Sequence, residues 1–121
     1  LKTMTQEQFY FCLDQILELR SRIKDTYTVR RKAQVIEATL AEEEQVSFDA
    51  LKQFKENKES ADKNTLESLS LLKKLAVQEA SIRAYVPVSL YGKTIKATYQ
   101  NLPVIYVTID IQSIAIEKGT L

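Results

Sequence analysis

LKTMTQEQFYFCLDQILELRSRIKDTYTVRRKAQVIEATLAEEEQVSFDALKQFKENKESADKNTLESLSLLKKLAVQEASIRAYV, Leu1–Val86, contains no glycine and no proline. Ordinary usage would place about ten of these two residues in a stretch of that length. Their absence removes the two strongest helix breakers, so the stretch is predicted to be helical almost throughout. The remainder, PVSLYGKTIKATYQNLPVIYVTIDIQSIAIEKGTL from Pro87 to Leu121, is β-branched, alternating and punctuated by turns. The expected fold is α+β. A long N-terminal helical coiled-coil or hairpin segment over 1–86 precedes a small three-stranded antiparallel β-meander over 87–121, which packs on the helices or on a partner chain.

Within the helical part, Thr5-Gln6-Glu7-Gln8 has the Thr-x-x-Gln form of a capping box, with Thr3 as the other candidate cap. Phe9, Cys12, Leu13, Ile16, Leu19 and Ile23 recur at three- and four-residue steps and form one apolar stripe. Asp25-Thr26-Tyr27-Thr28 is the weakest point, because its side chains offer alternatives to the helical hydrogen bond. Beyond it Val29, Ala33, Ile36 and Leu40 continue the stripe out of register, either as a stutter in one helix or as a new helix. Glu42-Glu43-Glu44 reads as a solvated helix surface. Phe48, Leu51 and Phe54 form a second stripe, with Ser47 a possible cap. Lys55–Asn64, almost wholly polar, is the expected loop. Asn64 then caps a last helix carrying Leu66, Leu69, Leu72, Leu75 and Ile82, which ends before Pro87. On this reading the first helix outruns its partner, and its stripe needs either a break near Thr26 or cover from another chain.

In the C-terminal part, Val86–Tyr91 and Thr94–Tyr99 flank Gly92-Lys93, the signature of a type II′ hairpin. The register sets Leu90 opposite Ile95 and Val88 opposite Ala97. Gln100–Pro103 makes the next turn. Val104–Gln112 forms the third strand, its apolar face made of Ile105, Val107, Ile109 and Ile111, with a bulge near Gln112-Ser113 before Ile114 and Ile116.

Composition narrows the chemistry. The chain has 121 residues, a net charge of +1, one cysteine and no histidine. A zinc site built on nitrogen and sulfur ligands and a histidine-based triad are both out of reach within one chain. Two glycines cannot build a phosphate loop. Cys12 reads as a small buried hydrophobe, and Asp14–Glu18 lacks the apolar setting that raises a carboxyl pKa. No catalytic residue, cofactor or metal is expected, and no small-molecule substrate is evident. No apolar run reaches the length of a membrane span. One cysteine and no visible signal peptide point to the cytoplasm, in a chain whose start at Leu1 marks it as a fragment or a trimmed one. Arg30, Arg31 and Lys32 form the densest basic cluster and the candidate anion contact. Tyr85, Tyr91, Tyr99 and Tyr106 do not fall on one sheet face as a stacking platform would.

The functional expectation is a non-enzymatic assembly, oligomerisation or scaffold module working through protein–protein contacts, self-association included. Phe9, Leu13, Ile16, Ile23, Ile105, Val107, Ile109 and Ile111 are the candidate contact residues. The alternatives are a holdase-type chaperone subunit with helices on a β platform, and a weak nucleic-acid-binding module using the basic cluster.

Overall fold

The structure, a computed structural model, describes residues 4–42 and 47–119, and only the backbone of Ile36 and Leu40. The expectations for Thr3, Glu43, Glu44 and the side chains of Ile36 and Leu40 lie outside the described residues. The fold is α+β: α1 (Gln6–Glu42), α2 (Phe48–Tyr85), a short 3₁₀ turn (Val88–Leu90), then strands β1 (Thr94–Ala97), β2 (Ile105–Ile109) and β3 (Ile114–Lys118). The strands form one antiparallel sheet in the order β1-β2-β3.

Helix α1 begins with the capping box that the sequence specifies. Gln8 N donates to Thr5 Oγ1 at 3.1 Å, and Thr5 N donates to Gln8 Oε1 at 3.0 Å. The helix does not break at Asp25–Thr28. Thr26 is buried within it and turns its hydroxyl back to Ile23 O at 2.6 Å, so its polar group is satisfied locally. Helix α2 starts at the Ser47 cap, where Ala50 N donates to Ser47 Oγ at 3.1 Å.

The expected loop at Lys55–Asn64 is corrected: it lies inside α2. Lysine, glutamate and alanine are good helix formers, and the poorer residues bond to their own helix. Asn57 Nδ2 donates to Gln53 O and Asn64 Nδ2 to Ser60 O, at 2.9 and 2.7 Å. Asn64 is therefore an interior residue and not a cap. With 37 residues in α1 and 38 in α2, the expected mismatch between a long helix and a short partner disappears.

The expected hairpin across Gly92-Lys93 is corrected as well. Pro87 has no N–H to give to a sheet and is already set at φ −61° and ψ 143°. It opens a 3₁₀ turn in which Leu90 N donates to Pro87 O at 2.9 Å. Gly92 takes φ +80°, a left-handed conformation open to glycine, and its N–H reaches Ile109 O at 2.9 Å. The partner of β1 is thus β2, with Ile95 opposite Val107 and Ala97 opposite Ile105. Gln100–Pro103 makes its turn as expected, with Leu102 N donating to Tyr99 O at 3.1 Å. Gln112-Ser113 is not a bulge. Asp110 N donates to Ser113 O at 2.8 Å, the chain reverses, and Ile114–Lys118 becomes the third strand.

The chain divides into two compact units. The first, the sheet unit, comprises Leu1–Arg20 and Lys74–Leu121; the second, the helical unit, comprises Ser21–Lys73. In the sheet unit, Phe9, Leu13 and Ile16 of α1 meet Ile82 and Val86 and the inner sheet face of Ile105, Val107 and Ile109. Each such side chain, fully buried, contributes about 1.5–3 kcal/mol. Polar contacts fix α1 under the sheet: Gln6 Nε2 to Thr98 O at 2.9 Å, Tyr10 OH to Pro103 O at 2.6 Å, Arg20 Nη2 to Ile114 O at 2.7 Å and Lys118 Nζ to Asp14 Oδ1 at 2.8 Å. In the helical unit an α1 segment and an α2 segment run antiparallel, with Arg22 and Glu67 3.5 Å apart on their exposed sides.

Candidate interaction surface

Most of the residues expected at a partner interface are covered by the chain itself. Phe9, Leu13, Ile16, Ile105, Val107 and Ile109 lie in the interior of the sheet unit, and Ile23 is buried in the helical unit. The expectation that they await another chain rests on a helix longer than its partner and on a sheet face too apolar to stand bare. It is corrected for the six in the sheet unit, because α1, Ile82, Val86 and the inner sheet face cover one another. Ile111 alone of the eight is exposed, at the tip of the β2–β3 turn and not on the apolar sheet face.

The helical unit has the opposite balance. Its deeply buried described residues are Ile23 and Thr26 on α1 and Ser68 and Leu71 on α2, two of the four polar. Leu66, Leu69 and Leu72, by contrast, are 70%, 60% and 41% exposed. At 100° per residue, steps of three keep these leucines within a 120° arc of α2. The sequence reads them correctly as sharing a side. That side faces out, because Ser68 and Leu71 take the inward positions between them. Phe48 and Leu51, on the same helix and also exposed, extend the apolar character towards its start.

The basic cluster is split. Arg31 and Lys32 line one groove of the helical unit with Thr28, Val35 and Asn57. Arg30 lines another, with Phe54, Lys58 and Asp62, and its guanidinium carbon sits 4.3 Å from the centre of the Tyr27 ring. The three cations are thus divided between two grooves, with Arg31 and Lys32 sharing one.

The tyrosines do not form a platform either. Tyr85 packs on Phe9 at 5.1 Å between ring centres, Tyr99 packs on Phe11 at 5.5 Å, and Tyr106 lies on the outer sheet face under Lys96. Cys12 is buried, its Sγ 3.0 Å from Gln78 Oε1, and burial pushes its thiol pKa up, away from the reactive thiolate. Asp14 is engaged by Lys118. Among the described residues, no three histidine, cysteine or acidic side chains gather as a metal site would require, and no helix is long and apolar enough to cross a membrane.

One surface lay outside the sequence reading. Phe9, Tyr85, Pro87, Leu90, Ile95 and Lys96 line a groove of about 450 Å³ on the sheet unit. The signal for it was Pro87, which stops Val86–Tyr91 from pairing as a strand. Compared with protein-family models, curated proteins and solved structures, the chain matches none.

Proposed function

We propose that this chain is a non-enzymatic assembly module that associates with a second copy of itself through the leucine face of the helical unit. The observation that carries the reading is the balance of that unit among its described residues. Few of them are deeply buried and half of those are polar, while Phe48, Leu51, Leu66, Leu69 and Leu72 are exposed. Burying Leu66, Leu69 and Leu72 against a partner is worth about 1–2 kcal/mol each, given their partial exposure. A second copy suits the electrostatics. Residues 21–73 hold ten Lys+Arg and ten Asp+Glu, so two such units meet without net repulsion. A reducing compartment such as the cytoplasm fits the free, buried Cys12.

Leu69→Cys in a Cys12→Ala background tests the reading. Mild oxidation is expected to give a covalent dimer on a non-reducing gel. Ile111→Cys in the same background, more exposed but in the other unit, is expected to remain monomeric. Equal cross-linking at both positions, or none at residue 69, would overturn the proposal.

A further inference from the structure

The sheet has two edges, and they are treated differently. Along β3, Arg20 Nη2 bonds Ile114 O at 2.7 Å and Lys118 reaches Asp14 at 2.8 Å, so α1 is held against both ends of that strand. Along β1, no strand among the described residues lies on the outer side of Thr94–Ala97, and the nearest side-chain cap, from Gln6, falls on Thr98 just beyond it. Beside this open edge runs the 450 Å³ groove. Successive strand residues point to opposite faces, yet both Ile95 and Lys96 line the groove. It therefore follows the edge of β1 instead of undercutting one face. Its floor is apolar, from Phe9, Tyr85, Pro87 and Leu90, and its lining holds no carboxylate.

We propose that this edge and groove receive an extended acidic–apolar peptide segment of a partner protein, added antiparallel to β1 as a fourth strand. An open strand edge supplies main-chain donors and acceptors, and a flanking pocket selects alternate side chains. Charge decides the occupant. Lys93 and Lys96 are exposed and in no ion pair among the described residues. A second copy of β1 would bring its own Lys93 and Lys96 to the same seam, where like charges oppose pairing. A strand alternating glutamate with valine or leucine sets its carboxylates on the Lys96 side of β1 and its apolar side chains on the Ile95 side, and Lys93 adds positive charge at the start of the strand. The site lies wholly in the sheet unit and is independent of self-association through the leucine face.

The probe is a fluorescent, end-blocked eight-residue peptide alternating glutamate and valine, titrated into the full chain and followed by anisotropy. Binding is expected to be at least tenfold tighter than for the valine–lysine analogue and to weaken as salt rises. N-methylation of alternate peptide amides is expected to abolish it, because a strand added to an edge needs those N–H groups. The exposed double substitution Lys93→Glu/Lys96→Glu is expected to reverse the preference between the two peptides. Amide signals of Thr94–Ala97 should shift on addition of peptide. Unchanged affinity after N-methylation, equal affinity for both peptides, or no binding at millimolar peptide would overturn the proposal. So would shifts at Thr94–Ala97 that depend on protein concentration alone, which would identify a second copy as the occupant.

Discussion

Replacing Arg20 with methionine should loosen the sheet unit by about 2 kcal/mol. Arg20 is the side chain that ties three elements together: its Nη2 donates to Ile114 O at 2.7 Å and lies 3.2 Å from Glu79 Oε1. The two contacts differ in worth. The carbonyl bond has a charged donor and a partner on a buried residue, which sets it at about 1.5 kcal/mol, the lower end for charged hydrogen bonds. The ion pair is about a third exposed at Arg20 and a fifth at Glu79, so screening holds it to about 0.5 kcal/mol. Methionine keeps much of the apolar stem and removes both contacts. Glu79→Gln removes only the ion pair. With a urea slope of about 2 kcal/mol per molar, the expected midpoint shifts are about 1 M for Arg20→Met and about 0.25 M for Glu79→Gln. Tyrosine near-UV circular dichroism is the right probe, since all six tyrosines except Tyr27 belong to the sheet unit. Equal shifts for the two variants would refute the argument that the carbonyl bond dominates. A shift below 0.25 M for Arg20→Met would refute the tie itself.

Ile16→Ala, at a fully buried position, should cost about 3–4 kcal/mol by the same urea assay, while Ile111→Lys at the turn tip should stay within about 0.5 kcal/mol. Cys12 should label with a thiol reagent only as fast as the sheet unit opens, so its rate should rise with urea in parallel with unfolding; rapid labelling in native buffer would contradict its burial. The Lys118 ammonium is held above the ordinary lysine range, first by its hydrogen bond to Asp14. A raised folded-state pKa means that the contribution is complete below the unfolded lysine pKa and is lost as pH rises through the folded one. The stability gap between the protein and Lys118→Met should therefore be a few tenths of a kcal/mol at neutral pH and close under strongly alkaline conditions, as read from paired urea curves.

What the sequence revealed depended on whether local and tertiary preferences agreed. Thr5 and Gln8 form a capping box whose partners are three residues apart, so nothing distant was needed to read it. The alternation Ile105-Tyr106-Val107-Thr108-Ile109 gave the inner sheet face for the same reason. The polarity of Lys55–Asn64 suggests a loop, yet a helix exposed on most sides is polar without breaking. At Val86–Tyr91 the Gly92-Lys93 pattern suggests a hairpin, and Pro87, which has no N–H for a ladder, decides against it. The leucine row shows the deeper limit. Spacing puts Leu66, Leu69 and Leu72 on one side of α2, but only the burial of Ser68 and Leu71 decides that this side faces out.

Self-association through that face is tested most directly by molar mass from light scattering across a dilution series of the unmodified chain. The account predicts a mass rising from 13.9 kDa towards twice that value with concentration, and a return to the monomer for Leu66→Ser/Leu69→Ser/Leu72→Ser. A constant 13.9 kDa at every concentration of the unmodified chain would contradict it.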